Sequence, residues 1–383
     1  MAREASGGWK RRVVIALNGC ETLPRDAVCR LARDLDHWAR PKREPPAESS
    51  DPSGENSDPR LLHLPVARAA LRDARVLAAR AKQRAAALGA RLVTVLDPGY
   101  PAPLHDLDLP PPVLYCLGDV PDRPATAIVG SRAADAYGRE AATLFACRLA
   151  EAGLTIVSGL ARGVDTAAHR GALAAAGGRT VAVLGCGLDV RYPTGADRLR
   201  RQIAERGAVI TEFPPGTPPQ RHNFPIRNRI IAALACGTLV VQGEARSGSL
   251  ITARLALELG RDVYAVPGRI FDSRSAGPNG LIRDGALAAQ QPRDILESLP
   301  QAELDRLPAA AERPVEAAGP RAAGADGDAG RLLAAMTPGE PLASASRSAA
   351  SGLAVERLLS LLLELELAGR VRREPGPAWC RRA

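Results

Sequence analysis

Lysine is almost absent from this chain. Of 51 basic residues only Lys10, Lys42 and Lys82 are lysines, so the formal charge of +9 is carried almost wholly by guanidinium. Aromatic side chains are scarce too, at 3% of 383 residues, which argues against recognition through a broad platform of stacked rings. No uncharged apolar run reaches the roughly 18 residues of a membrane helix, and the VVIAL stretch near the N-terminus is cut off by Asn18 and Gly19, too short for a signal core. A cytoplasmic protein with no membrane partner is expected. The seven cysteines are odd in number and form no CxxC pair, which argues against a disulfide framework or a zinc motif and fits buried free thiols.

What is present is a strong periodicity. From Ala125 onward, short β-branched runs alternate with longer Ala/Leu/Arg stretches of helical period. The runs are 125–130, 154–159, 179–185, 208–213, 238–243 and 262–268, and none alternates as a half-exposed strand would. This predicts an α/β fold, an extended Rossmann-like doubly wound parallel sheet with helices on both faces. A length of 383 residues suits two or three domains. The region 1–95 reads as small and helical, broken by a disordered insertion at about 41–62 that is rich in Pro, Ser and charge. The Rossmann-like domain is expected over 96–299, a flexible Ala/Pro/Gly linker over 300–330, and a winged helix over 331–383.

Ligands of open parallel sheets bind beyond the carboxyl ends of the strands, so the residues that follow each strand are the candidates. They include Gly130, Ser131 and Arg132; Ser158, Gly159, Arg162, Gly163 and Asp165; Arg246, Ser247, Gly248 and Ser249; and Arg269. Glycine lets backbone amides approach an anion, serine adds donors, and the guanidinium fork matches phosphate. One such arginine is as readily an internal ion-pair partner. Recurrence along one rim, with Arg221, Arg227 and Arg229 added, exceeds what one nucleotide uses and points to a strand with a phosphate at every step. On this reading Arg132→Ala or Arg227→Ala lowers affinity and leaves the fold intact.

Asp165 and His169 lie four apart and have the spacing of a metal or acid–base pair, but with no third ligand nearby they read as loop-holding groups. Glu212 and Glu244 end strands and read as loop anchors or arginine partners. No metal, cofactor or catalytic residue is expected. VGSRAADAYG does not fit the dinucleotide fingerprint, and GEARSGSLITA lacks the glutamate of a phosphoribohydrolase loop. A nucleotide-binding Rossmann enzyme of the phosphoribohydrolase type is the second reading, and a regulatory DNA-binding protein driven by the winged helix is the third.

The strings DPGYPAPL, AIVGSR, SGLARGVDTAAHRGAL, TVAVLGCGLDVRYP, GAVITEFPPG, FPIRNRIIAAL, VVQGEARSGSLITARLALELGRDVYAVPG and GPNGLIRDGA run in order from about 97 to 297. Together they resemble the DprA, or Smf, family of DNA-processing proteins. The resemblance implies a non-catalytic, dimeric single-stranded DNA binder that protects incoming DNA and helps load the RecA recombinase in transformation or recombination. Carried over by motif, the pocket would use the GSR and SGLARG loops, His169 of the same motif, and Asn223, Phe224, Arg227, Asn228 and Arg229, with Phe224 contacting a base. Gln242 stands where an acid is usual and Val164 where isoleucine is commoner. No lysine occupies the usual pocket positions, so Arg221 or Arg246 would supply that charge.

Overall fold

A computed structural model describes residues 11–19, 25–33, 74–308, 328–334, 336, 341–343, 355–367, 370–374 and 378–381. The expected insertion at 41–62 and the 309–327 part of the expected linker lie outside them. In chain order the elements are a helical segment at 11–18, α1 (Arg25–Arg33), α2 (Ala74–Ala87), β1 (Arg91–Thr94), β2 (Val113–Gly118), β3 (Ala125–Val129), α3 (Ala136–Glu151), β4 (Thr155–Ser158), α4 (Val164–Ala174) and β5 (Arg179–Val183). Next come α5 (Asp197–Arg206), β6 (Ala208–Thr211), α6 (Asn223–Leu234), β7 (Gly237–Val240), α7 (Ser249–Glu258), β8 (Asp262–Ala265), α8 (Ala276–Arg283), β9 (Leu287–Ala288), α9 (Pro292–Ser298) and α10 (Gln301–Leu304). The C-terminal elements are α11 (Asp328–Ala334), β10 (Pro341–Ala343), α12 (Val355–Leu367), β11 (Val371–Glu374) and β12 (Ala378–Arg381).

These elements sort into two compact units, each made of two stretches of chain: Met1–Asp122 with Ala182–Leu234, and Arg123–Val181 with Ala235–Ala383. In the first unit β1 and β2 pair antiparallel, and β2 pairs antiparallel with β6. Leu184, just past β5, donates its N–H to Ile210 of β6 at 2.8 Å. Antiparallel strands therefore accompany the expected parallel ones. Their direction is not written in the sequence, because the buried VLYC of β2 has the same unbroken apolar character as a parallel strand.

In the second unit β4, β3, β7, β8 and β9 lie side by side in that order, all parallel. Alternate residues point to opposite faces. Ile128, Ile156, Leu239, Val241, Tyr264 and Val266 share one buried cluster with α3, α4 and α9, while α7 packs on β7 and β8 through the buried Ala253 and Ala256. Both faces are covered, which is why these strands read as continuous apolar runs. Asp135 caps α3 by accepting from Gly138 N at 2.9 Å, and a capping box with Pro292 in the first turn starts α9. Packing continues past Pro300. The short α10 forms, and Leu304 and Leu307 lie against the apolar cluster.

The C-terminal part is a helix pair and a three-stranded antiparallel sheet in the order β10-β12-β11 around Leu332, Met336, Leu358, Leu362 and Trp379. Among the described residues no helix is long and apolar enough to cross a membrane.

Candidate nucleic-acid interface

In the second unit the loops that leave β3, β4 and β7 are bound to one another by backbone. Ser131 N donates to Gln242 O at 2.7 Å and Val164 N to Ser131 O at 3.2 Å. Gly163 makes this possible: its φ is +79°, and a Cβ there would overlap Ser131 O and the backbone of Arg132. Inside the loop that follows β4, Asp165 Oδ2 accepts from Gly159 N at 3.1 Å and Ala161 N at 3.2 Å. Ser158 Oγ donates to Ile128 O at 2.7 Å, also in the interior. His169 is fully buried, and its Nδ1 lies 2.7 Å from Thr180 Oγ1. That hydroxyl already donates to Ile156 O, so the imidazole is the donor to it. Ser158, Asp165 and His169 therefore shape the loop from beneath it. Ser249 is buried as well and shares a 2.8 Å hydroxyl contact with Ser247.

These loops turn guanidinium outward, with the exposed carboxylate of Glu244 two residues from Arg246 in the loop after β7. Arg162, Arg132, Arg246 and Arg269 are exposed, and they follow β4, β3, β7 and β8. Those strands are neighbours in that order, so the loop at each carboxyl end contributes one arginine along the same edge of the sheet. Gly130, Ser131 and Gly248 lie among them. Gln242, expected as a departure, has a physical reason. Its Nε2 donates to Asp135 Oδ1 at 3.0 Å, and Asp135 also pairs with Arg274 at 3.0 Å. An acid at 242 would set two carboxylates against each other. The Asp135–Arg274–Asp272 chain, which carries no motif, holds the β7 loop through Gly243 N to Arg274 O at 2.6 Å.

In the first unit the NFPIRNR segment opens α6, and here the sequence reading is corrected. Arg227 is 4% exposed; its guanidinium donates to Val183 O and lies 5.9 Å from the centre of the Phe224 ring. Arg229 forms a 2.7 Å ion pair with the fully buried Glu212. Burial alone would lower the Arg229 guanidinium, but the Glu212 carboxylate and the Cys29 sulfur outweigh it and hold it above its ordinary value. Asn223 is also buried and donates to Pro218 O at 3.2 Å. Arg227, Arg229 and Asn223 thus build the segment from inside. Phe224 and Asn228 are half-buried and Arg221 is exposed. Phe224 packs on Tyr192, 5.4 Å between ring centres, and on Gly185, where a Cβ would come within 2.9 Å of the ring. Tyr192 had no signal in the sequence beyond its place in RYP.

Cys29, Cys116, Cys147, Cys186, Cys236 and Cys380 are free thiols. Burial pushes Cys116 up to about 12 and Cys147 up to about 11, so neither is a nucleophile at neutral pH. Among the described residues no three His, Cys, Asp or Glu side chains converge as a metal site would.

The family model for DNA recombination-mediator protein A matches residues 91–300, more than half of the chain. The chain belongs to that family. A second model, the DprA winged helix domain, matches 316–377. Protein Smf of Escherichia coli is 43% identical over 259 residues, covering 65% of this chain and 66% of that protein. The DNA processing protein DprA of Streptococcus pneumoniae is 44% identical over 205 residues, covering 53% of this chain and 72% of that protein. The solved structure of the S. pneumoniae protein superposes with a TM-score of 0.56 at 32% identity, over 76% of this chain and 93% of that one. Family membership does not favour the phosphoribohydrolase reading. The site agrees, since Glu212 is paired with Arg229 and no glutamate stands in the first turn of α7.

Proposed function

We propose that this chain is a non-catalytic single-stranded DNA binder that protects DNA strands and helps load the RecA recombinase, acting as a homodimer in the cytoplasm. The observation that carries the binding is the row of exposed arginines, one at the carboxyl end of each of four neighbouring parallel strands. A row of cations over glycine and serine loops complements a polymer of phosphates, and contacts to phosphate carry no sequence information, so little sequence preference follows. In the first unit, Arg221 and the half-buried Phe224 offer a further cation and a single ring for a base. The dimer and the RecA partner are supported by the family to which the chain belongs.

Fluorescence anisotropy with labelled oligothymidylate and a matched duplex tests the binding. Tighter binding to the single strand, weakening steeply as salt rises, is the expected result. Equal or better binding to duplex, or indifference to salt, would overturn it.

A further inference from the structure

Beside the strand-end row, and sharing Arg162 with it, the second unit holds a second concentration of guanidinium. Arg139 on α3, Arg170 on α4, Arg162 in the loop between β4 and α4, and Arg372 on β11 line one cavity of about 360 Å³ with Thr166. Among the described residues that line it, Glu140 is the only carboxylate. Arg372 Nη2 lies 3.3 Å from Glu140 Oε1, and Cys380 Sγ on β12 comes within 3.8 Å of the same oxygen. The winged part of the chain thus meets α3 at the cavity wall and adds a cation to it.

Four guanidiniums against one carboxylate leave the cavity with a surplus of three positive charges. Arginine does not discharge at neutral pH, so that surplus persists and is balanced by anions. The volume lies within the range of small-ligand sites, about 300 to 1,000 Å³. Arg139 Nη1 is tied to Ala134 O at 2.6 Å, which fixes one wall, while Arg162 and Arg170 are exposed at the mouth. Thr166 donates its hydroxyl to Ala161 O at 2.7 Å, which holds the Arg162 loop against the start of α4 and so sets the distance between the two mouth arginines. Guanidinium N–H groups converging from several directions suit the oxygens of a phosphate.

We infer that this cavity binds a nucleotide phosphate, with the winged part supplying Arg372 as one of its four cations. The phosphate belongs to the interior of a strand or to a strand end or free nucleotide, and the same chemistry serves both. The strand source rests on the single-stranded DNA reading; the cavity itself does not.

The test uses the full chain with three probes: 5′-hydroxyl oligothymidylate, the same oligonucleotide 5′-phosphorylated, and thymidine monophosphate. Arg170→Ala, on an exposed helix face, and Arg372→Ala are expected to weaken at least one probe several-fold. Arg372→Lys should retain most of the binding, and Glu140→Gln should tighten it by removing the opposing charge. If the hydroxyl oligonucleotide is affected, the slope of log affinity against log salt should flatten by about 0.7, the share of one phosphate that is no longer neutralised, and the source is the strand interior. An effect confined to the other two probes assigns a terminal phosphate. Unchanged binding of all three probes by Arg170→Ala would overturn the cavity, even where Arg132→Ala still weakens strand binding. If the wild-type chain shows no preference for single strands but binds thymidine monophosphate through Arg170, the cavity stands and the strand reading falls.

Discussion

At the scale of single residues, arginines that look alike in the sequence have opposite roles. Arg132 is exposed beyond β3, whereas Arg227 is interior, donating to Val183 O beside the Phe224 ring. Arg132→Ala is therefore expected to weaken oligothymidylate binding several-fold with an unchanged melting temperature. Arg227→Ala removes a donor from a buried carbonyl, a loss of about 1 to 3 kcal/mol, and should lower the thermal midpoint by several degrees. Scanning calorimetry beside anisotropy separates the two; a melting temperature of Arg227→Ala equal to wild type would contradict the buried assignment. The strand-end glycines, serines and arginines were legible because their place follows from the parallel sheet. Which arginine faces inward was not, since burial at Arg227 and Arg229 is decided by Val183 and Glu212, distant in sequence.

At the scale of elements, the parallel strands β3, β4, β7 and β8 were legible from their unbroken apolar runs, because cover on both faces removes the polar alternation. The antiparallel partnership of β2 was not, because strand direction leaves no mark on composition. The junction of β4 and α4 is where local backbone and site meet. Gly163→Ala places a side chain at φ +79° and into Ser131 O. The conformational part alone costs about 1 to 2 kcal/mol, and relieving the overlap displaces the loop that carries Arg132. A lower urea midpoint together with weaker strand binding is expected; a change in stability without any change in binding would uncouple this loop from the interface.

For the whole molecule, the question is what the winged part contributes. The strand-end arginines lie outside 331–383, so a chain truncated after residue 330 is expected to keep single-strand binding at reduced affinity, the reduction reflecting Arg372. Abolished binding in electrophoretic shift and anisotropy assays would instead make the winged helix the main recognition element. The surplus of +9 was legible at once, yet its division into a strand-end row and a cavity was not. Arg139, Arg170 and Arg372 follow no strand directly, and only packing gathers them.

The chain passes from one compact unit to the other after Asp122, after Val181 and again after Leu234. On the ribosome this imposes an order of completion. The first unit lacks β6 and α6 until Leu234 has been made, and β3 waits for β7, its partner on one side, until Val240 has followed. A nascent chain halted near residue 180 therefore holds unfinished pieces of both units, with apolar strand edges uncovered. Each unit is assembled from two separated stretches of chain, so no single cut in the chain parts one whole unit from the other.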